Sequence, residues 1–387
     1  MPASLDELPA ALTDALADAA PDLAGRFREG ATMWCIAPGR PEHARHVAVE
    51  FVHPVIVGKA ALPAVSVDAG GWSGVCPTCI RSGDVVVQVG SSVDVAPVAR
   101  AVRGSGALVV TIGAGGDRLA ELTDHELWID DDDRSSAFSD GRAVLTYHLL
   151  WELTHLCLEH GDAGPGASDA GAAASDFLYP FLAGGGSDRP GSLQEALVGS
   201  TRRKMSESAD ARRIALDRND AALDAAAADL ADRFRAGGRM LTFGNGGSAT
   251  DAASFAALVA APPDGAGLPA RSLSDDPAVI TALANDVGFA RVFSRQLIAG
   301  ARPDDIAVGF STSGNSPNVV DALTAAADTG LCTIGFAGHD GGEMAAVESI
   351  DHLFLVPVDS VHRVQETQAA LAHALWRRTV ARLGTAS

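Results

Sequence analysis

Two segments in the second half of the chain combine glycines with hydroxyl side chains. Residues 244–248 read Gly-Asn-Gly-Gly-Ser, and residues 311–316 read Ser-Thr-Ser-Gly-Asn-Ser. Glycines let the backbone approach an anion, hydroxyls donate hydrogen bonds to phosphate oxygens, and free amides at a helix start favour negative charge. An ordinary strand-to-helix turn needs only one glycine and one capping serine. The composition therefore indicates a phosphate-binding site.

Strands and helices of an α/β sheet are predicted to position these two segments. Apolar runs of strand length alternate with helical patterns in each half of the chain, which is typical of a parallel sheet. In the second half the predicted strands lie near residues 239–243, 270–273, 306–310, 331–336 and 352–356. Both segments follow strands and open helices, with Ser316 as a predicted N-cap and Pro317 at the first helical position. Ligands of open parallel sheets bind at this edge, the carboxyl ends of the strands.

The chain contains an internal repeat. Three pairs of segments match in the same order: residues 23–30 with 230–237, 83–90 with 303–310, and 148–151 with 373–376. A stretch rich in Gly, Ala, Ser and Asp separates the two halves. Duplication of one domain is the simplest account. The predicted organisation is a first domain, a linker and a second domain at residues 1–160, 161–191 and 192–387.

The second half resembles the phosphoheptose isomerases from about residue 192 to residue 383. The motifs that carry the resemblance are Gly-Asn-Gly-Gly-Ser, Asn-Asp-Val-Gly-Phe, Phe-Ser-Arg, Ser-Thr-Ser-Gly-Asn-Ser and Arg-Val-Gln-Glu, at residues 244–248, 285–289, 293–295, 311–316 and 363–366. The resemblance implies two sugar-isomerase (SIS) domains of the α/β class, each a three-layer, flavodoxin-like parallel sheet with helices on both faces. It also implies a phosphorylated sugar as ligand, held by Asn245, Gly246, Gly247, Ser248, Ser311, Thr312, Ser313, Ser316 and Gln365.

The second half departs from the family pattern at two metal-ligand positions, and Pro262 replaces an Arg that the resemblance implies would help position the substrate. The family converts sedoheptulose 7-phosphate to an aldoheptose phosphate with a Glu base, a His acid and usually zinc. Its ligands are a His and a Glu four residues apart on the helix after the first loop, and a Gln and a His eight apart on the last helix. Gln365 and His373 match the last helix, but Ser254 and Leu258 occupy the first pair. Leucine can neither abstract a proton nor bind a metal.

The first half supplies the missing residue types at the matching positions. The repeat places His46 on Ser254 and Glu50 on Leu258. Residues at i and i+4 share one helix face, so this pair can bind one ion. The last helices align as well, and the resulting predicted zinc ligands are His46, Glu50, Asp140 and His148. The predicted catalytic residues are Glu50, His148 and His373.

A simpler interpretation of the first half stays open at this point. His43, His46, Glu50 and His53 fall on one helical face, which could be solvated, and His148 could be an ordinary core histidine. The loops of this half, residues 37–40 and 90–94, have fewer hydroxyls than their counterparts and carry an acid that repels phosphate. Arg40 is a possible compensating anion partner.

Three functions remain in view. The leading one is a phosphosugar aldose–ketose isomerase with a composite site, in which the first domain supplies metal and acid–base groups and the second binds the phosphate. The second is a non-catalytic, regulatory phosphosugar-binding SIS protein. The third is a metal-handling accessory protein that uses the histidine-rich helix of the first half.

Composition limits the partners and location. The 387 residues carry a net charge of −20, which disfavours nucleic acid, and the basic cluster at residues 202–204 is predicted to be solvated. No run approaches 18 apolar residues and the start lacks signal-peptide features, so no membrane partner and a cytoplasmic location are expected. Five cysteines do not make a disulfide framework. Cys76 and Cys79 are assigned a local structural role, and a ligand pair completed by nearby histidines stays open. The other three, Cys35, Cys157 and Cys332, stand in apolar runs and are predicted to be core residues. A homodimer would give a tetramer-like SIS assembly.

Overall fold

The computed structural model describes residues 9–54, 56, 58–67, 79–114, 119–130, 138–161 and 193–384. Cys76 lies outside the described residues, and so does almost all of the predicted linker, residues 161–191. The predicted domain boundaries therefore stay predictions.

The chain forms two compact units. The first unit comprises residues 1–137 and 142–207, and the second comprises residues 138–141 and 208–387. The helix Leu193–Arg218 contributes its first part to one unit and its remainder to the other.

The first unit contains a sheet of five parallel strands in the order β2-β1-β3-β4-β5. Its strands are β1 (Met33–Ile36), β2 (Ala64–Val67), β3 (Val85–Ser91), β4 (Leu108–Ala114) and β5 (His125–Asp130). Its helices are α1 (Ala10–Arg28), α2 (Pro41–Val52), α3 (Ser92–Val102), α4 (Arg142–Gly161) and the first part of α5 (Leu193–Arg218).

The second unit contains a sheet of five parallel strands in the order β7-β6-β8-β9-β10. Its strands are β6 (Met240–Phe243), β7 (Ala270–Ser272), β8 (Ile306–Ser311), β9 (Cys332–Gly338) and β10 (His352–Val356). Its helices are the rest of α5, α6 (Asp220–Arg235), α7 (Gly247–Ala260), α8 (Pro277–Asp286), α9 (Ser294–Gly300), α10 (Pro317–Asp328), α11 (Gly342–Ala345) and α12 (Val361–Gly384).

The two sheets have the same strand order. In each, the second strand in chain order lies at one edge and is followed by the first, third, fourth and fifth strands. The prediction of two α/β domains, each with a parallel sheet between layers of helices, is confirmed. The five predicted strands of the second half are all present, with ends that differ from the prediction by at most two residues. Gly330, at the end of α10, has φ +82°, the left-handed conformation typical of glycine after a helix.

Strand β8 shows how the sheet of the second unit is buried on both faces. Ile306, Val308 and Phe310 pack in one core with side chains of α6, α7 and α12. Ala307 belongs to a second core on the opposite face, together with side chains of α9 and α10. Since successive residues of a strand point to opposite faces, a continuous apolar run is the sequence signature of such a strand.

An aspartate at the start of the third strand organises each sheet in the same way. Asp84 accepts hydrogen bonds from the amides of Thr32 and Arg81 at 3.0 and 2.9 Å. In the second unit, Asp305 accepts from the amides of Arg239 and Arg302 at 2.8 and 3.0 Å.

A histidine–aspartate pair also recurs in both units, between the last strand of the sheet and a helix. His125 lies 2.8 Å from Asp22 in the first unit, and His352 lies 2.7 Å from Asp229 in the second. Both aspartates precede the leucine that starts the first matched segment of the repeat. The register of the repeat therefore extends to specific side-chain contacts.

Replacing Asp305 with asparagine is expected to lower the free energy of unfolding of the second unit by about 2 kcal/mol. Burial raises the pKa of Asp305, but hydrogen bonds from Arg239 and from two backbone amides outweigh it, so this pKa lies below its usual range. The ionised carboxylate thus stabilises the fold above the unfolded-state pKa of about 3.9, and this contribution is lost as the pH falls through the lower folded-state pKa.

Urea unfolding at about pH 7 and about pH 3.5 checks this, because the variant should lose less stability on acidification than the parent does. Asp304→Asn is the control, since this neighbouring carboxylate is exposed. Equal acid sensitivity of parent and Asp305→Asn protein would contradict the assignment.

The prediction that residues 202–204 are solvated is wrong for one of the three. Arg202 and Arg203 are exposed, but Lys204 is only 6% exposed and pairs with Glu152 of α4. Burial of an ammonium group requires a partner of this kind. The interpretation of Cys35, Cys157 and Cys332 as core residues is confirmed, since all three are buried thiols. Among the described helices, none is long and apolar enough to cross a membrane.

Candidate functional site

The predicted phosphate segments of the second unit lie at the point where its strand order reverses. Residues 244–248, the first loop, connect β6 to α7, and residues 311–316, the second loop, connect β8 to α10. The chain continues from β6 to the edge strand β7 on one side and later to β8 on the other. Ligands of doubly wound sheets bind in the crevice outside such a switch point.

The hydroxyls of the second loop are organised around Ser311, which is 2% exposed. Its Oγ lies 3.0 Å from the Oγ of Ser316 and accepts a hydrogen bond from the amide of Gly314 at 3.1 Å. Gly314 has φ +69°, and a Cβ there would lie 2.0 Å from the carbonyl oxygen of Gly341. The loop therefore needs glycine at this position. The turn at Gly314 brings its amide to the side chain of Ser311. Thr312 and Ser316 are half-buried, and Ser313 is exposed.

The first loop is tied to the start of α10 by two amide side chains. Asn245 and Asn318 exchange reciprocal hydrogen bonds of 2.8 Å, and Asn318 is 2% exposed. Gly246, with φ +53°, precedes the first turn of α7, which contains Gly247 and the buried Ser248. Asn318, two residues after the last serine of the second loop, is a site residue that was not predicted from the sequence. The available signal was an amide side chain in the predicted first turn of the helix after the second loop, but it does not show the partner.

The last helix, α12, carries Gln365 and His373, both buried. The side-chain amide of Gln365 lies 3.5 Å from the Oδ2 of Asp251 on α7. Gln368 donates to the carbonyl oxygen of Ser311 at 3.3 Å. Helix α12 is thus connected both to the second loop and to the helix that follows the first loop.

The second unit has no acid or base at Ser254 and Leu258, the two positions that align with the family's His and Glu. Leu258 is 5% exposed and packs in the core with Phe255 and Val259, and Ser254 is half-buried. The apolar environment of Leu258 explains why leucine is stable there.

Three potential metal ligands meet in the first unit. His46, Glu50 and His148, the three-ligand cluster, are all buried, and one ligand atom of each lies within 4.8 Å of the other two. The Nε2 of His46 lies 3.4 Å from the Nε2 of His148 and 3.6 Å from the Oε1 of Glu50. A tetrahedral zinc ion with ligand distances of about 2.0–2.1 Å needs ligand atoms about 3.3–3.4 Å apart. The residues fit such an ion.

Most of the histidine-bearing side of α2 is buried, so it is not the solvated face considered in the sequence. His43, His46 and Glu50 are each 1–2% exposed, whereas His53, at the end of α2, is exposed. Asp140, the fourth predicted ligand, is buried but is not one of the three clustered groups and belongs to the second compact unit. Its role as a ligand stays a prediction.

In the first unit, the serine at the end of β3 is hydrogen-bonded to an aspartate of the same segment. Ser91, at the carboxyl end of β3, donates to the Oδ2 of Asp94 at 2.7 Å, and its Oγ also accepts from the Asp94 amide. Burial lowers the pKa of Arg40, while the negative charges of Glu42 and Asp94 act against that shift. The positive charge of Arg40, the predicted anion partner, therefore already interacts with two carboxylates of the protein.

Residues 166–338 match the SIS domain family. As a whole, the chain also has the fold of the C-terminal domain of glucosamine-fructose-6-phosphate aminotransferase from Francisella tularensis. The TM-score is 0.60 at 12% identity, covering 96% of this chain and 93% of that one. Such low identity shows the fold alone.

Closer relatives are phosphoheptose isomerases. The one from Trichlorobacter lovleyi is 46% identical over 162 residues, which is 40% of this chain and 82% of the relative. The one from Roseiflexus sp. is 38% identical over 174 residues, 44% of this chain and 87% of the relative. The chain therefore belongs to the phosphoheptose isomerase family.

Proposed function

We propose that the protein is a phosphosugar aldose–ketose isomerase resembling sedoheptulose 7-phosphate isomerase. The observation that carries the proposal is the organised second loop at the strand switch point, where buried and half-buried serines surround a glycine-dependent turn. The names of the relatives support the substrate class.

In this proposal the second unit holds the phosphorylated sugar. Hydroxyls of Ser248, Ser311, Thr312, Ser313 and Ser316 donate to phosphate oxygens, together with the amides of Gly246 and Gly247. Asn245 and Gln365 bind sugar hydroxyls, and Asn318 holds the side chain of Asn245 in place.

The proton transfers are assigned to Glu50, His148 and His373. Isomerisation moves a proton between two neighbouring carbons through an enediol, so one group removes the proton beside the carbonyl and another protonates oxygen. Glu50 acts as the base, and His148 and His373 are the acids. The protein groups are regenerated, because Glu50 returns the proton taken from one carbon to the neighbouring carbon. The acid recovers the proton it gave to the carbonyl oxygen from the neighbouring hydroxyl, which becomes the new carbonyl.

His46, Glu50 and His148 would hold a divalent ion, for which zinc is the proposed identity because its ligand spacing matches the cluster. Such an ion, when bound, would supply Lewis-acid polarisation of a carbonyl oxygen. Asp140 remains the proposed fourth ligand from the repeat alignment.

Removing the metal is expected to lower the turnover of sedoheptulose 7-phosphate at least about a hundredfold, because Lewis-acid stabilisation is worth several kcal/mol. The test is turnover before and after dialysis against a chelator, and again after one equivalent of zinc per chain is restored. Loss and recovery support the proposal. Full turnover by protein that metal analysis shows to be zinc-free contradicts the metal assignment.

A second candidate function is phosphosugar binding without catalysis. The observation that favours it is the buried Leu258 at the position of the family's base. Calorimetric titration with a phosphosugar and turnover assays on five- to eight-carbon ketose phosphates distinguish the two functions. Binding without turnover supports the regulatory role.

The proposed assembly is a homodimer, which brings four SIS domains together, and the proposed location is the cytoplasm. The free buried thiols of Cys35, Cys157 and Cys332 are compatible with a reducing compartment.

A further inference from the structure

The hydroxyl of Tyr147 contacts the ring of His46 on the side opposite the clustered ligands. Its Oη lies 2.9 Å from the Nδ1 of His46, and both residues are 1% exposed. The ring centroids are 4.9 Å apart, and Tyr147 also packs edge-on against His148 at 5.4 Å. Three rings therefore support one another around the Nε2 of His46.

The repeat alignment indicates that this tyrosine is specific to the first unit. His148 aligns with His373, so Tyr147 aligns with Ala372 of the second unit, which has no hydroxyl. The second unit also lacks the His and Glu of the three-ligand cluster, having Ser254 and Leu258 there. The tyrosine and the ligands are thus present in one unit and missing together from the other.

The identity of the contacted nitrogen matters for metal binding. A neutral imidazole carries its proton on one nitrogen and a lone pair on the other. An ion held with Glu50 and His148 must use the Nε2 lone pair of His46, because Nε2 is the atom that lies 3.6 and 3.4 Å from those groups. The proton must then sit on Nδ1, where it needs an acceptor, since an unpaired buried donor is costly.

We propose that Tyr147 is a positioning residue of the metal centre: its hydroxyl oxygen accepts a hydrogen bond from the Nδ1–H of His46 and so holds the Nε2 lone pair toward Glu50 and His148. The proposal rests on the metal centre of the proposed function. A phenol oxygen can also donate, so Tyr147 pairs with the other tautomer when no ion is bound. The His46 ring can therefore keep its place in both states.

The test is the zinc affinity of the full-length Tyr147→Phe protein, measured by competition with a chromogenic chelator. Loss of such an outer-shell partner is expected to weaken zinc binding about 10- to 100-fold while one ion per chain still binds. The matched control is Thr154→Val, which removes a buried hydroxyl from the same helix whose hydrogen bond goes to the carbonyl of Leu150. Its zinc affinity should stay within about twofold of the parent, because Thr154 does not contact a ligand ring.

Two results overturn the inference in distinguishable ways. If the parent binds zinc and His46→Ala abolishes binding, but Tyr147→Phe binds as tightly as the parent, the metal centre stands and the role of Tyr147 falls. If the parent binds no zinc, the metal centre of the proposed function falls as well.

A measurement on the parent keeps the inference testable if the phenylalanine variant does not fold. Long-range proton–nitrogen NMR spectra of the histidine rings report which nitrogen carries the proton. In the zinc-loaded protein His46 is expected to carry its proton on Nδ1, with the proton signal shifted downfield by the hydrogen bond to the Tyr147 hydroxyl. If Tyr147 only packs against the ring, this shift is absent and the inference is overturned. Protonation on Nε2 in that state overturns the inference.

Discussion

Glu50→Gln protein is expected to turn over sedoheptulose 7-phosphate at least about a hundredfold more slowly than the parent, with phosphosugar binding retained. Glutamine has nearly the same size as glutamate, so the buried site stays filled, but a neutral amide cannot accept the substrate proton. The second unit offers no substitute at the matching position, because Leu258 is apolar and buried. The variant therefore tests directly whether the first unit takes part in turnover.

The measurement is the turnover number at saturating zinc, combined with calorimetric titration of an alditol phosphate that cannot isomerise. Saturating zinc separates loss of the base from weaker metal binding. Glu42→Gln is the matched control, because Glu42 is buried on the same helix but is outside the three-ligand cluster. Unchanged turnover in Glu50→Gln protein would eliminate the first unit from the chemistry and favour a site confined to the second unit.

Placing an aspartate at Ser316 is expected to weaken phosphosugar binding by at least about a hundredfold, because like charges about 5 Å apart repel by about 3 kcal/mol per charge at an effective dielectric constant of about 20. Ser316 is the residue before α10, and its Oγ lies 3.0 Å from that of Ser311. Aspartate is a favourable N-cap residue, so the helix should start as before. The expected loss is in binding and not in stability.

The first unit contains the natural counterpart of this substitution. Helix α3 follows β3 directly and carries Asp94 in its first turn, where the carboxylate accepts a hydrogen bond from Ser91 at 2.7 Å. The same arrangement of a strand-end serine and a helix-start acid should exclude phosphate from either unit.

Titration of the alditol phosphate into Ser316→Asp and Ser316→Asn proteins measures the effect. Asparagine is also a good N-cap and has the shape of aspartate without its charge, so Ser316→Asn should bind within about tenfold of the parent. Equal weakening in both variants would mean that size and not charge is responsible. Parent-like binding by Ser316→Asp protein would place the phosphate elsewhere.

Local patterns in the sequence were sufficient for the strands, the two loops and one part of the candidate metal site. β8 was predictable because a strand buried on both faces is a continuous apolar run, and Ile306–Ser311 begins at the predicted residue. Its carboxyl end locates the second loop, since all strands of the sheet are parallel. The pairing of His46 with Glu50 was equally predictable, because residues four apart lie on the same side of a helix.

Contacts between distant parts of each unit were decided only by the tertiary structure. The hydroxyl of Tyr147 reaches His46 across 101 residues of sequence, and Asn318 reaches Asn245 across 73. Nothing in the residues around Tyr147 or Asn318 shows which polar group the folded chain brings to them. Lys204, which looks solvated in a basic run, is buried because Glu152 lies opposite it.

The two glycine- and serine-rich loops and the His46–Glu50 pair were therefore determined by the sequence itself, because residue type and helix or strand period are local properties. The tertiary structure decided that His148 completes a cluster with metal-like spacing, that Tyr147 supports it, and that Ser311 and Ser316 share a hydrogen bond. The physical reason is that a binding site depends on distances between side chains, and packing of the whole unit sets those distances.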